Sequence, residues 1–132
     1  MEKARRYSKK REAIMQALQA STEHPSAEML YTALKEQFPD LSLGTVYRNL
    51  SQMRQDGTII SVATVAGQER YDANTDVHTH FICRNCHNVI DLHKVRLEDD
   101  HIAEAAALYG HDIESQELIL RGVCNDCRGH LN

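Results

Sequence analysis

The chain has no apolar run approaching the roughly 18 residues of a membrane span. Its opening stretch, "MEKARRYSKKR", has none of the hydrocarbon that a secretory signal needs. The expectation is a soluble cytoplasmic protein with no membrane partner. Internal repeats and low-complexity segments are also missing. An excess of positive charge is missing too: the net charge is −4, which argues against a uniformly basic nucleic-acid binder. At 132 residues and 42% hydrophobic composition, the chain can bury one or two small cores and no large enzyme's interior. Cysteine is sparse, but its four copies fall in two C-x-x-C pairs, and in a reducing compartment that pattern favours metal-binding thiolates over disulfides.

The average charge hides an asymmetry. Residues 1–57 carry nine Lys/Arg against seven Asp/Glu, whereas residues 58–132 carry six against twelve. The start is the most basic part, with Lys3, Arg5, Arg6, Lys9, Lys10 and Arg11 set against Glu2 alone. It reads either as a phosphate-contacting arm or as a solvated tail.

The first half has the periodicity of three helices. Ile14, Ala17 and Leu18 mark the first, which starts from about Ser8. Ser26 can cap the second, whose stripe is Met29, Leu30, Ala33, Leu34 and Phe38 and which Pro39 ends. Ser42 can cap the third, "SLGTVYRNLSQMRQDG", with Leu43, Val46, Leu50 and Met53 on one face and Gly57 as its stop. "TIISVAT" and "GQERYD" follow as two short strands around a glycine turn. Three helices and a hairpin describe a winged helix-turn-helix, whose third helix enters the major groove. Arg48, Asn49 and Gln52 on that helix carry groups that match base edges, and they are equally ordinary helix-surface residues.

The second half reads as a small α/β module. "HTHFIC" and "NVIDL" are strands around an "RNC" turn, "RLEDDHIAEAAALYG" is a helix closed by Gly110, and "IESQELILRGVC" is a longer returning strand. The fold class is therefore α+β: a winged-helix domain over 1–72, a hinge at 73–77 and a C-terminal α/β domain over 78–132. Cys83 and Cys86 are separated from Cys124 and Cys127 by 37 residues, 87 to 123. That spacing suits one closed tetrahedral zinc site, and in so small a module the ion would supply much of the folding free energy. His78 and His80, two apart on a strand, face the same way, with Asp91 on the neighbouring strand. A pair of surface histidines would look identical in sequence. His87, His93, His101, His111 and His130 are assigned to solvent. A zinc-water deaminase would need H-x-E and a proline before a cysteine pair, and neither is present. A thiol oxidoreductase accounts for neither the winged helix nor the His/Asp set.

Taken in order, "HPSAEMLY", "SLGTVYRNL", "RYD", "HTHFICRNC", "VIDLH" and "GVCNDC" resemble the Fur family of metal-dependent bacterial repressors over nearly the whole chain. The resemblance implies no enzyme, but a homodimer whose C-terminal domain dimerises and whose winged helices bind a palindromic operator in double-stranded DNA. It assigns structural Zn2+ to Cys83, Cys86, Cys124 and Cys127. Within the family the chain is most similar to the peroxide-sensing PerR branch, whose regulatory Fe2+ or Mn2+ ligands match His24, Asp72, His78, His80 and Asp91. Oxidation-sensitive positions would be His24 and His78. Iron sensors usually carry glutamate at the positions of Asp72 and Asp91. Their further site would fall on Val77, Thr79, Glu98 and Gln116, where only Glu98 can bind metal. Arg48 departs from the peroxide branch, where asparagine is usual, which bears on the operator sequence and not on the metal chemistry; the alternative reading is a Fur-type iron-uptake or other metal regulator of the same fold. Tyr47 and Arg48 are the chosen base contacts, and the basic arm and Arg54 the phosphate contacts.

Overall fold

Hydrogen bonds from two serines settle where the middle helices start. In the computed structural model, which describes residues 2–76, 78–95 and 99–129, α1 (Glu2–Ala20) is followed by α2 (Ala27–Leu34) and α3 (Leu43–Gln55). Ser26 Oγ accepts from the Met29 N–H at 3.2 Å and Ser42 Oγ from the Thr45 N–H at 3.1 Å. Each occupies a donor that the first helical turn leaves unpartnered. Three- and four-residue spacing puts Val46, Leu50 and Met53 on one face of α3, where all three are fully buried. Ile14 and Leu18 of α1, Leu30 and Leu34 of α2, and Leu41, Ile59 and Tyr71 close the same core.

Two helix expectations need correction. The buried stripe of α2 is Ala27, Leu30 and Leu34; Met29 is only half-buried and Ala33 is exposed, and the helix ends well before Pro39. The first helix starts before Ser8, so the basic stretch, expected as a phosphate-contacting arm or a solvated tail, has its backbone in the first turns of α1. Two of its cations are already paired within the domain, Lys10 with Asp40 at 3.1 Å and Arg11 with Asp56 at 2.8 Å. The side chains of Lys3, Arg5 and Arg6 lie outside the described residues.

After α3, Gly57 takes a positive φ of 79°, and β1 (Ile60–Val65) pairs antiparallel with β2 (Gln68–Asp72). Ala66 and Gly67, at φ 52° and 81°, form the two-residue turn whose twist suits a hairpin. This is a winged helix-turn-helix. The chain divides into two compact units, Met1–Thr75 and Asp76–Asn132.

The second unit is built on β3 (Thr79–Cys83), which pairs antiparallel with β4 (Val89–Leu92) and parallel with β5 (Ile119–Gly122). A parallel neighbour needs a crossover, and α4 (Asp99–Tyr109) supplies it before Gly110 turns the chain at φ 74°. The last element is α5 (Asn125–Arg128). The long strand expected over 113–124 shrinks to the four residues of β5, because β3 offers only five residues to pair with. The chain is thus α+β in both halves, and among the described residues no helix is long and apolar enough to cross a membrane.

Candidate functional site

Two backbone turns deliver the four cysteines. Cys83 ends β3, and the chain folds back so that the His87 N–H donates to the Cys83 carbonyl at 3.0 Å, with His87 at φ 64°. Cys124 caps α5 and Cys127 lies one turn on. Their four sulfurs lie within 4.8 Å of one another, and Cys86 Sγ is 3.8 Å from Cys124 Sγ. A tetrahedron with metal–sulfur bonds of about 2.3 Å has sulfurs about 3.8 Å apart. The same distance is far beyond a disulfide bond of about 2.05 Å, and all four cysteines are free.

The electrostatics fit the same ion. Backbone N–H groups of Cys124 and Cys86 point at the Cys83 sulfur, at 3.4 and 3.5 Å, and lower its pKa to about 6. The backbone N–H of Asn88 pulls Cys86 down, yet burial and the neighbouring thiols push it up to about 12. Four sulfurs this close cannot all ionise without a cation among them, and a divalent ion provides that charge.

The nitrogen and oxygen ligands fall into two groups, one in each unit. In the first unit, His24 stands in the turn before the Ser26 cap, at φ 52°, and Asp72 ends β2. Both are buried, with His24 Nδ1 3.3 Å from Asp72 Oδ2. The other Asp72 oxygen accepts from the Asn74 N–H at 2.8 Å. Arg70, which the sequence reading passed over, is also buried here. Its Nε donates to the His24 carbonyl at 2.6 Å and its Nη2 to the Glu23 carbonyl at 2.8 Å. The available signal was its position two residues before Asp72, on the same face of the strand.

In the second unit the pairing of β3 with β4 sets Asp91 directly opposite His80. His78 Nε2 lies 2.9 Å and His80 Nε2 3.2 Å from the same oxygen, Asp91 Oδ1, and the two rings are 4.2 Å apart. His93, assigned to solvent from sequence, is exposed, but its Nε2 lies 3.6 Å from Asp91 Oδ2. Val77 and Glu98 lie outside the described residues; Thr79 is buried and Gln116 half-buried.

On α3, Tyr47, Arg48, Gln52 and Arg54 are exposed. The Tyr47 hydroxyl donates to a Glu28 carboxylate oxygen, and this bond holds its pKa above the usual tyrosine value. Arg48 Nη2 reaches Thr45 Oγ1 at 3.4 Å. Arg54 Nη1 binds Glu69 Oε1 at 3.2 Å and so ties the helix to β2. Asn49 is a correction. It is only 2% exposed and donates to the Thr45 carbonyl at 2.9 Å, because position 49 shares the face of Val46, Leu50 and Met53. Its amide is not presented to a base edge.

The model of the ferric uptake regulator family matches residues 2–121. The peroxide operon regulator of Bacillus subtilis is 35% identical over 123 residues, covering 92% of this chain and 83% of that one. The peroxide-responsive repressor PerR of Staphylococcus epidermidis is 32% identical over 128 residues, covering 96% and 84%. Among solved structures, the Helicobacter pylori ferric uptake regulator, described as having three functional metal-binding sites, superposes with a TM-score of 0.79 at 25% identity. The match covers 92% of this chain and 81% of that one.

Proposed function

The chain belongs to the ferric uptake regulator family, and on that premise we propose that it is a metal-dependent transcriptional repressor that releases DNA in response to peroxide. The observation that carries the reading is the separation of ligand types. All four cysteines converge on one sulfur cluster, while His78 and His80 meet the carboxylate of Asp91 apart from it. The sulfur set takes structural Zn2+, which is inert to redox chemistry. The regulatory set is His24, Asp72, His78, His80 and Asp91, nitrogen and oxygen donors suited to Fe2+ or Mn2+. The His24–Asp72 pair in one unit and the His78–His80–Asp91 group in the other support it.

Held by these residues, the ion would couple metal binding to the arrangement in which two copies present their α3 helices to successive half-sites of a palindromic operator. Coupling of this kind is typically about 1–3 kcal/mol. Tyr47, Arg48 and Gln52 face the bases and Arg54 the phosphates. The second copy docks on the C-terminal unit, where Leu108, Tyr109, Ile113 and Leu120 are exposed and available for burial. The protein acts in the cytoplasm, where its operator is.

With no cysteine left over, oxidation falls on the regulatory ligands. Ferrous iron, when bound, supplies the reducing electrons for peroxide. One oxygen of peroxide would then be transferred to the His24 or His78 imidazole and the other would leave as water, and the oxidised ring would hold the ion less well and lower operator affinity. Mn2+ reacts poorly with peroxide and leaves the protein bound. The test is stoichiometric peroxide on the Fe2+ and Mn2+ forms, followed by peptide mass spectrometry and operator binding. A one-oxygen gain at His24 or His78 in the iron form alone, with loss of DNA binding, is the expected result. Unmodified histidines and full DNA binding would select an iron-uptake regulator instead.

A further inference from the structure

Histidine 24 holds a backbone conformation that a residue with a Cβ rarely adopts, φ 52°. Something must hold it there. The last three residues of β2 grip this turn in succession. Arg70 places its guanidinium on the carbonyls of His24 and Glu23, at 2.6 and 2.8 Å. The Tyr71 N–H donates to the Pro25 carbonyl at 3.1 Å, and Ser26 pairs with Arg70 as an isolated antiparallel bridge. Asp72, on the same face of the strand as Arg70, takes the His24 ring at 3.3 Å. A buried guanidinium needs acceptors, and these two belong to the very turn that presents the imidazole. The planar fork of arginine spans two carbonyls at once, which an ammonium group cannot do.

We propose that Arg70 is a positioning residue for the regulatory ion: it fixes the main chain at residues 23 and 24 so that the His24 ring is presented to the metal before the metal arrives. The proposal rests on the regulatory-ion reading above. Arg70 itself touches no ion. Removing it should let the turn relax and cost metal affinity, while the four-cysteine zinc, in the other unit, is untouched.

The test is a double-mutant cycle on the zinc-loaded full-length protein, titrated with Mn2+ and followed by electron paramagnetic resonance. Arg70→Gln should weaken Mn2+ binding by about 10- to 100-fold, the usual loss when a residue that orients a ligand is removed. In a His24→Ala background the same substitution should cost nothing further, since the group it acts through is gone. Arg70→Lys, which retains the charge and one hydrogen bond, should recover part of the loss, and it carries the cycle if Arg70→Gln proves unfolded by circular dichroism. Equal losses in both backgrounds, or no loss in either, would overturn the role given to Arg70 while leaving the ion site standing. A wild-type protein that binds no Mn2+ would overturn the regulatory-ion reading and the proposal together.

Discussion

Among the described residues of the 1–75 unit, a core of twelve buried apolar side chains gathers around α3, with Ile14, Val46, Leu50 and Met53 wholly out of solvent. Residues 76–132 bury far less hydrocarbon. Among their described residues the buried apolar set is Ile82, Val89 and three cysteines. The same stretch leaves Ile90, Val95, Leu108, Tyr109, Ile113 and Leu120 exposed. The two halves are therefore held by different means. The first closes on its own side chains, in the way of an ordinary small domain. The second gathers around four close sulfurs, a set that suits a cation, and leaves apolar surface exposed.

Removing zinc should separate the halves most sharply. Chelation, or Cys86→Ser, should expose the amides of β3, β4, β5 and α4 to hydrogen exchange while those of α2 and α3 remain protected. Zinc binding in small domains carries about 10–16 kcal/mol of folding free energy. Equal protection in both halves after chelation would contradict the contrast. The reciprocal change, Leu50→Ala, should cost about 2–5 kcal/mol in a urea titration of the first unit by opening a cavity in a packed core. It should leave the zinc content at its wild-type value, and loss of zinc in that variant would show that the halves are not independently held.

Smaller effects fall on function. His80→Ala or Asp91→Ala should keep zinc and the dimer but lose metal-activated operator binding, a loss of about 1–3 kcal/mol by gel shift with and without Mn2+. Arg48→Ala should weaken the operator complex by a similar ~1–3 kcal/mol with metal present or absent. A metal-dependent defect at Arg48 would instead place that residue in the switch.

The smallest effect belongs to Glu69, whose carboxylate accepts from the Tyr71 hydroxyl at 2.5 Å, from Ser61 Oγ at 2.9 Å and from Arg54 at 3.2 Å. The Tyr71 bond leads the three in holding its pKa below the ordinary glutamate value of 4.5. Its contribution is fully present above that value and is lost as the pH falls through the lower, folded one. Glu69→Gln should therefore cost under ~1 kcal/mol at pH 7, with the gap to wild type closing in acid. A gap that persists to low pH would assign the effect to the wing's packing rather than to charge.

How much of this could be read from the sequence depends on whether a feature is written in residue spacing. The two serine caps, the α3 stripe and both cysteine pairs are local patterns, and the structure has them where spacing puts them. Asn49 departs from its sequence expectation because it sits at the edge of a helical stripe, where a polar residue can turn inward and bond to its own helix. The one trace of Arg70 in the sequence is its place two residues before Asp72, since its partners are carbonyls 46 and 47 residues away that any sequence would supply. His93 is exposed, as an isolated histidine is expected to be, and its approach to Asp91 follows only once the end of β4 is placed. The shortness of β5 is set by the length of its neighbour and not by its own composition.

The turn that carries Cys86 reaches further than the sulfur cluster it serves. The bend at residues 84–88, closed by the His87 N–H on the Cys83 carbonyl, is also the loop of the β3–β4 hairpin, and that hairpin sets His80 against Asp91. Strand registers are quantised. A slip of one residue would carry Asp91 to the opposite face of the sheet, away from both imidazoles. The cysteine knuckle therefore acts as the gauge against which His80 and Asp91 are aligned: the loop length that brings the sulfurs together is the one that fixes the register of imidazole and carboxylate.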